Sequence, residues 1–515
     1  MRLGRNAVVH YLDLAVVAAA LLTVCLVPIR FMLPFNDEWL RINYLADKSA
    51  WEWTVMHTET WVVRPTAELI MAWAALPNTR PALAHDFTAH AFLLRFHRVY
   101  LALALTFCAM LYAQAALILG RFRVREGASL SALFALTCWL MADELGYAFY
   151  WTDGWANVLM PFVMITTGLA LVAACGEARL AAPHAPSTGV AQPGSGLPAG
   201  ASQRPDLRAG ASSPRLDLGS GASRRRSLRF CGGAVLVLLG ALGHEVLCIY
   251  ALGVLGLFLA RRRLPEHAWR LWAARAGLFA LCLGIVAAQL FSAGPRARSE
   301  SYLQSSGVSY DFAAAWLNVS TINPWRSLLS VLTPLAAVAI YRDHLAGLPE
   351  RAAADARAHR VFWILLACGT LLLCFLPLAS VGLKKGRLAV ASYSVLTQLL
   401  FVALGVVLVP LLDRWSERLF RGYRRRIGSV LPLLLVLVPA SGNRDGFRSA
   451  VVDNAALRRE ARAYMETLFH APKRVNLCRP NHPYVKPARM LTERNEAIYF
   501  GLEKVRHRCP SRLGG

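Results

Sequence analysis

Three pairs of ionisable residues in this chain have types and spacings that suit chemistry. Asp37 and Glu38 open a polar stretch directly after the first apolar run, in the string Phe35-Asn36-Asp37-Glu38-Trp39. Adjacent carboxylates at a membrane surface suit proton abstraction from a hydroxyl, or coordination of a cation. A plainer role fits equally well: the acidic first turn of an interfacial helix capped by Asn36. Asp143 and Glu144 form the second pair, followed by Trp151-Thr152-Asp153-Gly154-Trp155-Ala156-Asn157, with Tyr147 and Tyr150 beside them. Aromatic faces pack on the C–H faces of pyranose rings, so this cluster suits sugar stacking. An interfacial aromatic belt accounts for the rings, but not for Asp153 and Asn157 among them. His244 and Glu245 are the third pair, set inside a long apolar block, where an ionisable residue is a functional candidate by default.

Basic residues accompany these acids. Arg64, Arg296, Arg298 and the string Lys384-Lys385-Gly386-Arg387 suit a phosphate or pyrophosphate at headgroup level. General headgroup attraction, which needs no defined site, is the alternative. Nine of the eleven cysteines lie in or beside apolar segments, where small-residue packing is the default. Cys478 and Cys509 lie in a polar tail and are expected to form a disulfide if that tail faces an oxidising compartment. The sequence contains no CxxC or HExxH string, and His85, His90 and His97 do not share a helical face. No metal site and no cofactor is expected.

The elements that must position these groups are membrane helices. The chain has 515 residues, 56% hydrophobic and only 17% charged, with mean hydropathy +0.41. Apolar runs approaching the ~20 residues that cross a bilayer recur along its length. This excludes a soluble enzyme on a single anchor, and an outer-membrane barrel, whose strands are ~10 residues long and alternate in polarity. The net charge of +25 comes from arginine-rich runs between apolar segments. It reads as orientation on the cytoplasmic side rather than nucleic-acid binding.

The sequence therefore predicts an all-α, polytopic integral membrane protein of about eleven spans. The basic start, Arg2 and Arg5, places the N-terminus inside, and the first span covers residues 11–33. Residues 34–98 form a long first outer loop, in which 61–76, interrupted by Arg64, Pro65 and Glu68, is an interfacial helix. Spans follow at 99–119, 128–142 and 158–175, completing an N-terminal membrane part, 1–175. Residues 176–223 are rich in Pro, Gly and Ser without periodicity and read as a disordered cytoplasmic linker. The C-terminal membrane part is 224–440. Within it, the apolar block 231–260 is flanked by an arginine triplet on each side. One thirty-residue helix would bury His244 and Glu245 at mid-membrane, where a charge costs at least ~2.5 kcal/mol. Two short helices turning at His244-Glu245 avoid that cost. Further spans are expected at 271–292, 328–341, 361–381, 393–412 and 427–439, leaving a small extracytoplasmic tail, 441–515. Its apolar set Ala450, Val451, Ala455, Leu457, Ala461, Tyr464 and Leu468 has helical period.

With these residues in view, the sequence resembles GT-C-type membrane glycosyltransferases, and is particularly similar to bacterial polytopic relatives of the enzymes that glucosylate O-antigen and other envelope glycans. The likeness is carried by Asn36-Asp37-Glu38-Trp39, residues 61–65 and 150–161, Gly243-His244-Glu245, residues 294–298, and Gly386-Arg387. The resemblance implies a polyprenyl-phosphate-linked sugar as donor and an envelope glycan or lipid as acceptor. It also implies an inner-membrane location with the site on the periplasmic face, inversion at the anomeric carbon, and a first-loop carboxylate as general base. That role passes to Asp37, with Glu38 as the alternative. Arg296, Arg298, Lys384 and Arg387 would hold the donor phosphate. A transporter or flippase of an envelope lipid, and a ligase or polymerase of envelope glycans, are the competing readings.

Overall fold

A computed structural model describes residues 5–60, 63–118, 124–142, 150, 152–177, 218–260, 269–292, 322–341, 396–409, 412, 415, 418–419, 429–480, 482, 485 and 490–507. These are mostly helical. The first apolar run forms α1, Arg5–Ile29, which ends one residue after Pro28. Three short helices follow in the first loop: α2, Asn36–Tyr44; α3, Ala50–Thr60; and α4, Pro65–Ala75. Each start has a local cause. The N-cap of α2 is Phe35 rather than Asn36, and its backbone N–H donates to the Glu38 carboxylate at 2.7 Å. At α3, the Ser49 N–H donates to Glu52 Oε2 at 2.7 Å while the Glu52 N–H donates to Ser49 Oγ at 3.1 Å, a reciprocal cap. Pro65 opens α4 at its first position, where the missing N–H costs nothing.

The long helices come next. They are α5, Ala89–Ile118, and α6, Val124–Met141, then α7, which starts at Thr152–Gly154, passes through a π-helical turn at Trp155–Leu159 and continues as Met160–Glu177. After these come α8, Leu218–Ala241; α9, Glu245–Ala260; α10, Trp269–Phe291; α11, Pro324–Tyr341; α12, Leu396–Val409; and α13, Leu431–Ala440. Four described helices are long and apolar enough to cross a membrane: Val8–Ile29, Ala89–Ala113, Thr152–Ala173 and Trp269–Gln289. Shorter apolar helices are Glu126–Met141, Ser227–Ala241, Glu245–Ala260, Leu396–Val409 and Leu431–Ala440. Every expected span overlaps a described helix except 361–381, which lies outside the described residues. The break of the 231–260 block falls at Leu242-Gly243-His244, as the cost of burying two charges predicts.

Several boundaries differ from expectation. The second span begins at Ala89, ten residues before the expected 99, because α5 extends beyond its apolar part to join the first loop. The loop expected at 143–157 is helical from Thr152. Helix α8 begins at Leu218, inside the expected linker, carrying Arg224 with it; residues 178–217 lie outside the described set.

Glycines set a close contact between α7 and α8. A Cβ on Gly168 of α7 would meet the Gly233 carbonyl oxygen of α8 at 2.5 Å, and one on Gly233 would meet the Gly168 oxygen at 2.8 Å. Close backbone approach through small residues is how helices associate where lipid removes the hydrophobic drive. At one end of the bundle, buried Asp13 of α1 accepts from the Tyr341 hydroxyl of α11 at 2.9 Å, Ser429 Oγ at 2.5 Å and the Val430 N–H before α13 at 3.2 Å.

At the other end sit the first loop and the tail. The tail comprises α14, Arg444–Val452; α15, Asn454–His470; β1, Arg474–Leu477; α16, Met490–Phe500; and β2, Lys504–His507. Asp453 divides the expected single helix in two, and Val451 and Ala455 turn outward while Met465 turns in. The strands pair in parallel, Leu477 opposite His507, a small sheet the all-α expectation lacked. Gly501 makes the turn before β2 with φ +67°.

The tail and first loop share one core. Trp39 of α2 lies between Phe92 at 5.3 Å and Tyr499 at 5.1 Å, and Phe469 and Phe500 close the cluster. Arg479 donates to the Leu33 and Pro34 carbonyls at 3.0 and 2.8 Å, and Asn43 Nδ2 to the Asn495 carbonyl at 2.8 Å. The helix ends around Ala142, Thr152, Glu245 and Gln289 reach this same end.

Candidate functional site

Two linked charge groups occupy the junction of the first loop with the bundle. The first centres on Arg41, one helical turn after Asp37 on α2. Its Nη1 lies 3.0 Å from Asp153 Oδ1 on α7, and its guanidinium sits 5.4 Å from the centre of the Trp53 ring on α3. Glu68 of α4 accepts the Trp53 indole N–H at 3.0 Å, and its other oxygen faces His57 Nδ1 at 3.2 Å. Burial opposes the Arg41 charge, but Asp153, Glu68 and Asp37 outweigh it and hold the guanidinium more firmly protonated than in water. Burial also disfavours charge on Glu68, yet the His57 contact and the Arg41 charge hold it below the usual carboxylate range.

The second group centres on Arg64, the residue before α4. It grips Glu245 through two parallel contacts, Nε to Oε2 at 2.7 Å and Nη2 to Oε1 at 2.5 Å, the fork geometry that matches guanidinium to carboxylate. Its Nη1 donates to Asn157 Oδ1 at 3.3 Å. Glu245 is the first residue of α9, where negative charge meets the helix N-terminus. Asp153 and Asn157 stand one turn apart on α7, so this helix start connects the two groups. The π-helical turn that holds Asn157 is a feature frequent at functional sites.

Of the residues the sequence singled out, the structure brings Asp37, Glu38, Arg64, Asp153, Asn157, His244 and Glu245 to this one end. Glu38 and Asp37 are not equivalent there. Glu38 is buried, its oxygens taking the Phe35 N–H, the Tyr100 hydroxyl at 2.7 Å, and the Thr152 N–H at 2.9 Å and hydroxyl at 2.5 Å. Burial pushes its carboxyl above the usual range, only partly offset by the Thr152 and Tyr100 donors. Glu38 ties α2 to α5 and α7. Asp37 is half-buried and stands in the field of Arg41. His244 is buried, with Nδ1 accepting the Val246 N–H at 3.2 Å, an N-cap to α9.

Of the expected stacking platform, Tyr147 and Trp151 lie outside the described residues, and the other two rings face inward. Trp155 is buried against Phe107, turned inward by the helical start of α7. The Tyr150 hydroxyl is committed to the Trp139 indole and the Val24 carbonyl. On the first-loop helices, Trp51 of α3 (65%) and Trp73 of α4 (64%) are exposed. Asp143, Glu144, Trp151, Arg296, Arg298, Lys384, Arg387 and Cys509 lie outside the described residues. Cys478 is disulfide-bonded.

Arg41, Trp53, His57, Glu68, Tyr100 and Thr152 complete the network, and the sequence reading did not select them. The spacing of Arg41 from Asp37, one turn along the same helix, was the available signal. Among the described residues no group of three or more His, Cys, Asp or Glu side chains gathers in metal-binding geometry. The arrangement offers two guanidiniums, Arg41 and Arg64, each paired with a carboxylate, groups of the kind that bind phosphate. Comparison with protein-family models, with curated proteins and with solved structures finds no match to this chain.

Proposed function

We propose that the chain is a membrane glycosyltransferase that moves a sugar from a polyprenyl-phosphate donor to an envelope glycan or lipid at the end of the bundle bearing the first loop. The observation that supports this reading is the convergence there of Asp37, Arg41, Asp153, Arg64, Asn157 and Glu245 from α2, α4, α7 and α9. Such a junction brings guanidiniums and a half-buried carboxylate together, which supports a site for an anionic headgroup. Asp37, half-buried and in the field of Arg41, is assigned as the acceptor-side carboxylate, with Glu38 as the alternative. Arg64 is the donor-side cation, exchanging Glu245 for phosphate, with Arg296, Arg298, Lys384 and Arg387 assigned to the same charge.

The proposed topology is eleven spans in a bacterial inner membrane, N-terminus inside and tail in the periplasm. The common end shared by the first loop and tail requires an even number of crossings between them, which the eleven-span count satisfies when 361–381 is one. Cys478 is disulfide-bonded, and Cys509 is proposed as its partner in an oxidising compartment.

The test is deletion of the gene in its own host, followed by mass spectrometry of the envelope glycans and complementation with D37N, E38Q and R64A. Loss of one sugar mass, restored by the wild type and not by D37N at equal membrane levels, is the expected result. Unchanged glycans on deletion would reject the reading.

A further inference from the structure

We propose that Gln289 is a positioning residue of the donor site, its carboxamide holding Arg64 in place when Glu245 gives way to the donor phosphate; this rests on the glycosyl-transfer reading above. Gln289 is buried near the end of α10, in a helix long and apolar enough to cross a membrane. A buried amide in such a helix is costly to place and is a candidate for function.

Its Nε2 donates to two carbonyls, Val63 at 3.1 Å and Ala241 at 2.9 Å. Both partners are acceptors only, so the nitrogen of the amide, not its oxygen, must face them. Val63 shares a peptide bond with Arg64, and Ala241 is the last residue of α8, four before Glu245. Val63 lies outside a helix and Ala241 at the end of one, so neither carbonyl belongs to a helical ladder. One side chain therefore fastens the backbone beside each partner of the Arg64–Glu245 pair.

On its other side, Arg64 is held by its own carbonyl, which accepts the Glu68 N–H at 3.0 Å in the first turn of α4. The Arg64 backbone is thus fixed from both directions without help from Glu245. A cation that exchanges a carboxylate for a phosphate needs this, because ties other than the one it gives up then keep its place. Packing alone does not account for the amide. Gln289 Oε1 is buried and, among the described residues, has no hydrogen-bond partner, a cost that an apolar side chain of the same length would avoid.

Two substitutions test the role. Q289M keeps the length and removes the donor, and Q289E keeps the shape but turns an oxygen toward both carbonyls. The purified full-length protein in detergent is titrated with farnesyl phosphate, a short polyprenyl phosphate. Each variant should bind it about tenfold more weakly than wild type, the worth of one or two hydrogen bonds. The loss from Q289M should be several-fold larger in an E245Q background, where Arg64 has lost its ion pair. Unchanged binding in both variants, or an equal loss in the two backgrounds, would overturn the positioning role, since a merely structural residue acts alike in either. Melting without ligand reads the clamp itself: Q289M and R64A together should cost less than the sum of the two, and strict additivity would overturn it. No binding of farnesyl phosphate by the wild type would reject the donor site, and with it the task of Gln289 there, while the melting comparison still decides whether Gln289 holds Arg64.

Discussion

Arg64 and Glu245 meet in a two-pronged ion pair, across 181 residues of sequence, and so fasten the entry of α4 to the first turn of α9. Removing one partner strands a partly buried charge. R64A and E245Q are each expected to lower stability by about 2 kcal/mol, the range for hydrogen bonds to charged groups. R64K keeps the charge and loses the fork, and should fall between wild type and R64A. Melting of the detergent-solubilised protein measures this, and the double exchange R64E/E245R should recover part of the loss.

Glu38 and Glu68 should contribute to pH dependence with opposite signs. The folded state raises the Glu38 carboxyl above its unfolded value near 4.5, so folding is favoured by protonation of this group. Its contribution is greatest below that value and declines as pH rises toward the folded one. Glu68 is depressed, so its contribution is present above its unfolded value and lost as pH falls through the folded one. Melting temperature against pH should therefore lose a falling limb in E38Q and a rising limb in E68Q. Identical profiles for the two variants would contradict the assignment.

Alanine substitution should separate the glycines. G168A and G233A drive a methyl into the opposing backbone oxygen at 2.5 and 2.8 Å, and are expected to cost about 1–3 kcal/mol. Neighbouring Gly232 has nothing within 4 Å of its would-be Cβ, and G232A should fall within about 0.5 kcal/mol of wild type. Equal effects at 232 and 233 would refute the α7–α8 contact.

Arg479 ties the tail to the corner between α1 and α2. Besides the Leu33 and Pro34 carbonyls, its guanidinium faces buried Glu496 at 3.7 Å, which also takes the Tyr464 hydroxyl at 2.5 Å and lies 2.9 Å from His507. R479A leaves these groups unmatched and should destabilise by about 3 kcal/mol or more. Hydrogen exchange at residues 35–44 should rise in R479A, and protease should cut the tail sooner. Unchanged exchange there would show that the tail merely sits beside the loop.

The amino-acid order alone located most of the apolar helices, though not all of their ends. Apolar run length located the helices, and the cost of burying His244 with Glu245 located the break in the 231–260 block, because both are local free energies of transfer. Asp37, Arg64, Asp153, Asn157 and Glu245 were visible as polar residues in apolar surroundings. Only the tertiary structure decided what each one faces. Glu38 became an inter-helix tie, Trp155 turned into the core, and Arg41, His57 and Glu68 entered the site. Those outcomes depend on pairings between residues far apart in sequence, and on helix rotations set by glycine contacts. The docked tail was also a tertiary matter, since the aromatic cluster around Trp39 draws on segments from both ends of the chain.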